Sequence, residues 1–413
     1  MSRLRPRVPA LVIAAFTVSL AACQEKLSAP GDCPGICPGD RSTVFDTVVT
    51  AVPGQDSTYG PGNVGGYVSA GEGTSLQVAN GLDGVETRAV VRFVKRPDVL
   101  TLNDVSYPYR IDSVALAVTL LARDPAVTGI SLEIYRLSSP GSVDSARTFA
   151  AVDADLVPAN LLAVIPIPDT LRTGLLRKVY SGAALDSIAI PAADTGILAL
   201  GLRVVAPSAT GVRIGGSQAG SAGPSFVTYL QPITTDTALL HQPPMPRLVA
   251  YNGFVSSVTP APDPTVLTVG GAPSSRALVR FDVPARIRDS STIIRATLEL
   301  TPLAPIPGLP GDSVGLDVRA VLADLGAKSP RLSNPATRIL ISLLTAGSTD
   351  TVRVDVTPLV DLWQSPSRLP PSLFLALQPE GSSFSRAVFG STRQGPVPRL
   401  RLTYVLPFPF ETP

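Results

Sequence analysis

Beyond residue 42, apolar residues recur at every second position in short runs, and clusters of Gly, Pro, Asn, Asp and Ser separate the runs. Period-two alternation marks a strand with one buried face, and turn clusters at short intervals predict many such strands in succession. Ala296-Thr297-Leu298-Glu299-Leu300 is the plainest case, with Ala296, Leu298 and Leu300 expected inward and Thr297 and Glu299 outward. Leu400-Arg401-Leu402 reads the same way. One stretch departs from this rule. Val356, Leu359, Val360, Leu362 and Trp363 fall at near-helical spacing, which predicts a short helix there.

The strand pattern repeats in order. Leu76-Gln77-Val78 matches Leu267-Thr268-Val269, and Arg88-Ala89-Val90-Val91-Arg92-Phe93 matches Arg276-Ala277-Leu278-Val279-Arg280-Phe281. Ile111 with Val114, Leu116 and Val118 matches Ile293 with Ala296, Leu298 and Leu300, and Leu132-Glu133-Ile134 matches Leu316-Asp317-Val318. Leu198-Ala199-Leu200 then matches Leu375-Ala376-Leu377, and Gly216-Ser217 before Pro224 matches Gly390-Ser391 before Pro398. The offset drifts slowly and the order never changes, as a duplication requires.

Each repeat holds more strands than one open sheet carries comfortably, so two packed antiparallel sheets are expected. The predicted fold is all-β, with two tandem antiparallel β-sandwich, jelly-roll-like domains at 43–232 and 250–406. A Pro-rich linker at 233–249, built around Pro243-Pro244-Met245-Pro246, is expected between them, with a C-terminal tail at 407–413. A parallel β-helix would need a period of about 20–30 residues, and none is found.

Composition supports this reading and removes others. The 42 prolines and 34 glycines in 413 residues exclude a helical bundle, solenoid or coiled coil, while 45% hydrophobic residues suffice for a core. A single histidine, His241, excludes a metal site built on several imidazoles and disfavours a His-centred triad. Arg3, Arg5 and Arg7 carry the basic excess; without them the balance is 31 basic to 32 acidic residues, with no charge run, so nucleic acid is not an expected partner.

Those arginines precede an uncharged stretch, Ala10–Ala22, too short to span a bilayer and suited to a secretory signal. It ends in Leu20-Ala21-Ala22-Cys23, which resembles the lipobox of bacterial lipoproteins. The resemblance implies cleavage after residue 22, acylation of Cys23, and, with Gln24 rather than an aspartate following, a place in the bacterial outer membrane. Two or three acyl chains would hold the protein there permanently. Residues 23–42 then form a lipidated tether rich in Pro, Gly and Ser. Within it, Cys33 and Cys37 flank Pro34-Gly35 and could close a small disulfide or remain free thiols; two more ligands for zinc are missing.

A second resemblance rests on the C-terminal repeat. Arg276–Asp282, Ile293–Leu300, Asp355-Val356-Thr357 with Val360 and Trp363, and Pro398-Arg399-Leu400-Arg401-Leu402-Thr403-Tyr404 together resemble the DNRLRE, or disaggregatase-related, β-sandwich modules. The first repeat shares Asp56-Ser57-Thr58-Tyr59-Gly60 and Arg88–Phe93, but has Val94 where the motif has aspartate and no counterpart of the Asp-Val-Thr and Trp element. The resemblance implies a carbohydrate-binding kind of module on an exported protein.

Few residues are candidates for chemistry. Trp363 could offer a sugar-stacking face or plug one end of the sandwich; Tyr59, Tyr107 and Tyr109 could line a loop site. Asp355 and Asp361 could pair for glycoside cleavage, against the simpler reading that Asp355 caps the segment opened by Thr357-Pro358. Arg88, Arg92, Arg276 and Arg280 recur at equal spacing and are expected to lie over the sheets and pair with acids, a polyanion-binding face being the sharper alternative. No phosphate-binding loop or EF-type calcium loop occurs, and neither a cofactor nor a metal site is expected. The expected function is non-catalytic: a lipid-anchored surface protein that binds extracellular glycan or serves as a scaffold. The alternatives are a polysaccharide hydrolase or lyase, and an envelope assembly protein that binds partners by sheet edges.

Overall fold

A computed structural model of the protein describes residues 44–60, 74–188, 196–240, 242–257, 263–271, 274–326, 338–364 and 369–406. Cys23, Cys33, Cys37 and His241, the signal segment and the C-terminal tail lie outside them.

The strands in the first half are β1 (Val44–Thr50), β2 (Ser57–Tyr59), β3 (Ser75–Leu82), β4 (Val85–Phe93), β5 (Leu100–Leu102), β6 (Val105–Tyr107), β7 (Tyr109–Arg123) and β8 (Ser131–Arg136). Helix α1 (Phe149–Asp153), β9 (Leu161–Pro166), β10 (Gly174–Ser181), helix α2 (Leu185–Ile188), β11 (Leu198–Val205), β12 (Thr210–Gly215) and β13 (Ser225–Pro232) follow. Then come β14 (Met245–Arg247), β15 (Val249–Ser256), β16 (Leu267–Gly270), β17 (Arg276–Arg280), helix α3 (Ala285–Arg288), β18 (Thr292–Leu300) and β19 (Ser313–Ala320). The chain closes with β20 (Arg338–Thr345), β21 (Val352–Asp355), helix α4 (Thr357–Gln364), β22 (Ser372–Gln378), β23 (Arg386–Phe389) and β24 (Arg399–Val405).

The fold is all-β and every strand pair is antiparallel, in two sandwich bodies. The second body has a four-stranded sheet, β1-β24-β18-β21, facing a five-stranded one, β2-β17-β22-β19-β20, with the ribbon β16-β23 beside them. Leu298, Leu300, Leu316, Val318, Leu375, Phe389, Leu400 and Leu402 fill the space between the layers. The alternation of β18 is as expected, Ala296, Leu298 and Leu300 inward. In the first body the same strands merge into one curled, 11-stranded sheet whose inner face buries Val78, Val91, Leu116, Ile134, Leu200 and Ile214. Long strand β7 makes the continuity possible. It carries β10 on one edge, and β13 and then β12 along the other, so the sheet bends without breaking.

Strand for strand the two bodies correspond. The layer β14-β13-β7-β10 matches β1-β24-β18-β21, the layer β15-β4-β11-β8-β9 matches β2-β17-β22-β19-β20, and β3-β12 matches β16-β23. This is the duplication read from the sequence, with one register corrected. Leu76 faces Ile214, and Leu267 faces Phe389, so Gly215, not Gly216, is the counterpart of Gly390. Both glycines sit where a Cβ would strike a carbonyl, 1.9 Å from Ala222 O and 2.1 Å from Pro396 O, so no other residue fits either turn.

Strand pairing redraws the expected boundaries of 43–232 and 250–406. The leading strands β1 and β2, within the stretch expected in the first domain, complete the second body: Val44–Thr50 runs against Val405–Arg399, Ala51 bridges Phe281, and Ser57–Tyr59 runs against Leu278–Arg276. Strands β14 and β15 complete the first body at the equivalent positions, with Arg247 opposite Phe226 and Val249 opposite Phe93. Each repeat therefore lends its leader to the other. The expected linker 233–249 is partly strand for the same reason: Met245–Arg247 pairs with Phe226–Thr228. Pro246 sits in an edge strand, where a missing N–H costs no ladder bond, so a Pro-rich run does not exclude pairing.

The bodies touch along β3 and β12. Arg213 is paired with Asp312 at 2.7 Å, Ser75 Oγ donates to Ser382 O at 3.0 Å, and Ala79, Leu82 and Ala122 pack against Leu309 and Phe384.

Candidate functional site

The outer face of the four-stranded sheet in the second body is a shallow polar groove of about 620 Å³. Its side chains follow from register, because residues opposite one another on neighbouring strands point to the same side. One row runs Val48, Arg401, Thr297, Asp355; the next is Asp46, Thr403, Arg295; on the other side lie Thr50, Arg399, Glu299, Arg353. The inner residues of the same strands are uncharged, apolar but for Thr47 opposite Leu402, so the charges belong to one face only.

Within the groove, donors and acceptors alternate. Half-buried Glu299 lies between Arg353, 3.5 Å away, and Arg401, 3.9 Å away. Thr403 Oγ1 donates to Asp46 at 2.6 Å. Asp355 accepts from the Thr357 backbone N–H at 3.0 Å and from its hydroxyl at 2.6 Å. Burial pushes the Asp355 carboxyl up, but these two bonds and the nearby Arg295 outweigh it and hold the group below the usual carboxylate range. The side chains of Arg353 and Arg401 stay 68% and 52% exposed, so much of their donor capacity is open to a ligand.

The equivalent sheet of the first body carries no such array. The counterparts of Arg295, Thr297 and Glu299 are Ser113, Ala115 and Ala117; those of Arg401 and Thr403 are Val227 and Tyr229; and Asp355 is replaced by Val179. Only Arg353 has a like-charged counterpart, Arg177. Two sheets of one topology thus share the inner residues of their central strand and differ on the outer face, and Lys178 and Thr228 stand where the second body has Val354 and Leu402. Sandwich formation does not need these charges.

The residues expected from the sequence to form sites fall elsewhere. Trp363 is 2% exposed, on α4 within the core beside Leu359 and Val360, with no face free for a sugar ring. Tyr59 lies on the opposite side of the five-stranded sheet, against Leu278, Val321 and Phe374, so the two aromatics share no site. Tyr109 donates its hydroxyl to Pro97 O, under Arg96. Asp355 is committed to Thr357, the capping role, while Asp361 is on the exposed side of α4 and is pushed up by partial burial. Three of the four recurring arginines are paired: Arg88 with Glu86 and Asp153, Arg276 with Glu380 at 2.6 Å, and Arg280 with Asp324. Arg92 donates to Gly141 O. They serve the sheets rather than a polyanion face. Among the described residues, no group of three His, Cys, Asp or Glu side chains is placed to hold a metal ion, and no helix is long and apolar enough to cross a membrane.

The groove was missed in the sequence because its members are spread over four strands up to about 350 positions apart. The available signal was the change from Ala115 and Ala117 to Thr297 and Glu299 at matched positions.

Fold and groove together define an all-β, two-sandwich protein with a charged groove on the outer face of one four-stranded sheet. No protein-family model matches the chain, and no curated protein does. Among solved structures, the chain is similar to one in the structure of the Macrobrachium rosenbergii nodavirus, with 7% identity over 98% of this chain and 96% of that one, and a TM-score of 0.16. A likeness that slight carries no argument.

Proposed function

We propose that this is a non-catalytic, lipid-anchored protein of the bacterial outer membrane whose second sandwich binds extracellular glycan on the outer face of β1-β24-β18-β21. One observation carries the reading: of two sheets with the same topology, only one replaces small and apolar outer residues with arginines, carboxylates and threonines. A ligand rich in hydroxyl groups, each both donor and acceptor, suits such a field, since guanidinium groups supply donors and carboxylates supply acceptors. Arg295, Arg353, Arg399 and Arg401 face Asp46, Glu299 and Asp355, so the charges of this face nearly cancel, which favours a neutral polysaccharide over a polyanion. The anchor rests on the signal segment and the lipobox-like Leu20–Cys23. Binding of the full chain to arrayed glycans is the test. Saturable binding that falls at least tenfold in Arg353→Ala/Arg401→Ala, with no release of new reducing ends, is the expected result; unchanged binding in the variant removes the groove from the function, and product release makes the protein an enzyme.

A further inference from the structure

Each body has a cleft between its leader and the loop that follows β12 in the first body or β23 in the second, and the two clefts are built differently. In the second body the cleft is bridged. Asp56 is fully buried and accepts from the Thr392 backbone N–H at 2.7 Å and from Arg393 at 3.1 Å. Arg393 also donates to Asp56 O at 3.0 Å, Pro264 O at 3.0 Å and Gly54 O at 2.9 Å, so one guanidinium spans from loop to leader. The leader makes a turn there, with Gln55 N–H donating to Val52 O at 3.1 Å and Gly54 N–H to Thr392 Oγ1 at 2.9 Å.

In the first body Asn252 stands in the place of Asp56, and its amide oxygen accepts from the Ser217 N–H at 3.0 Å. Ser217 is therefore the counterpart of Thr392, and Gln218 that of Arg393. Val249 and Ala51 lie opposite the matched residues Phe93 and Phe281, so this leader runs from 249 to 252 where the other runs from 51 to 56. The turn at Val52–Gln55 has shrunk by two residues. Leu248, 72% exposed, replaces Thr50. An open cleft of about 590 Å³ lies here, between loop 217–225 and leader 246–252. Small-ligand sites occupy about 300–1,000 Å³.

We propose that this cleft is a second binding site, on the first sandwich, for a neutral saccharide of one or two rings. Gln218, Ser221 and Ser225 line it from the loop side, and Pro246, Leu248 and Ala250 from the leader side. Among the described lining residues none is acidic, and the one cation, Arg247, is buried and already engaged. It donates to Val94 O at 3.0 Å and Gly196 O at 2.6 Å and lies over the Phe226 ring at 5.2 Å. The cleft thus has no open charge to select an ion. Hydroxyl and carboxamide groups each donate and accept, which matches the hydroxyls of a sugar. The apolar leader side takes the C–H face of the ring, whose removal from water is favourable. The site does not rest on the charged groove, which lies on the other body, and either can fail alone.

The test uses the full chain carrying Arg353→Ala/Arg401→Ala, so that the groove does not contribute. The methyl β-glycosides of glucose, galactose, mannose and N-acetylglucosamine, with cellobiose, lactose and chitobiose, are titrated and followed by saturation-transfer NMR. Leucine-methyl-labelled protein reports on Leu248, assigned from its absence in Leu248→Val. The expected result is saturable transfer to at least one of these sugars, with a matching shift of the Leu248 methyl signals. Gln218→Arg/Leu248→Thr, which installs the residues of the second body, should weaken that binding at least tenfold. No transfer to any of the sugars, or Leu248 signals that stay in place at saturation, overturns the site; so does undiminished binding in the variant. Should the variant fail to fold, the Leu248 shift in the unaltered cleft decides. Loss of array binding in Arg353→Ala/Arg401→Ala speaks only to the groove, and the Leu248 shift only to the cleft.

Discussion

At the scale of single residues, arginine does structural work on both sheets. Arg88 lies over the Phe149 ring at 5.1 Å while pairing with Glu86 and Asp153, and its counterpart Arg276 lies over Phe374 at 5.6 Å while pairing with Glu380. Each joins a planar cation to a ring face and a carboxylate, a use that lysine could not copy. The pair Arg280–Asp324 yields a pH prediction. Hydrogen bonds from Arg280 hold the Asp324 carboxyl below its ordinary value near 3.8, against the opposing effect of burial, so the folded state binds this proton less readily than the unfolded chain. Its contribution is therefore complete above about pH 4 and is lost as pH falls through the folded-state value. Both side chains are less than a quarter exposed, and Asp324→Asn is expected to cost about 1–2 kcal/mol at neutral pH. Urea midpoints measured from pH 7 down to pH 2 should show the gap between variant and parent closing below about pH 4. A gap that stays constant would mean the carboxylate is not the titrating group.

At the scale of elements, α4 shows what local pattern can and cannot reveal. Its spacing was legible because Leu359, Val360 and Trp363 fall on one helical face, and all three are buried in the second core. Thr357 ties the helix start to β18 by accepting from Ala296 N–H at 2.8 Å, and Gln364 ties its end to Ile287 O and Ser291 O at 3.1 and 2.9 Å. Trp363 Nε1 is buried without a hydrogen-bond partner among the described residues, so Trp363→Phe should lose no bond and cost about 1 kcal/mol, whereas Trp363→Ala leaves a cavity and should cost about 3–5 kcal/mol. Chemical denaturation followed by circular dichroism separates the two; equal costs would show that the indole does not fill the core. Alternation likewise disclosed strands such as β18 and β24, since burial on one face leaves its mark on every second residue. Pairing partners leave no such mark. The run Val-Phe-Asp-Thr-Val-Val-Thr of β1 is as compatible with β13 as with β24, and long-range contacts such as those of Asp46 with Thr403 and of Asp56 with Thr392 and Arg393 distinguish them. The same limit hid the charged groove, which is a property of four strands in register.

At the scale of the whole molecule, the leader exchange reverses the order in which the bodies stand relative to the chain's beginning. Sequence order places the first repeat next to the tether; strand pairing attaches residue 44 to the second body, at the edge of the sheet that carries the charged groove. With Cys23 acylated as proposed, the stretch 24–43 spans at most about 70 Å, and it ends beside Val405 and Leu406. The tether would then join the second sandwich directly, and the first is attached to that body through the contact of Arg213 and Ala79 with Asp312, Leu309 and Phe384. Fluorophores at Leu406→Cys and Val164→Cys, both on exposed side chains, can be compared in acylated protein on vesicles carrying a lipid-bound energy acceptor, with Cys33 and Cys37 changed to Ser. Transfer should be stronger from position 406 than from position 164. The opposite order would count against a tether that joins the chain to the second sandwich at the edge strand β1.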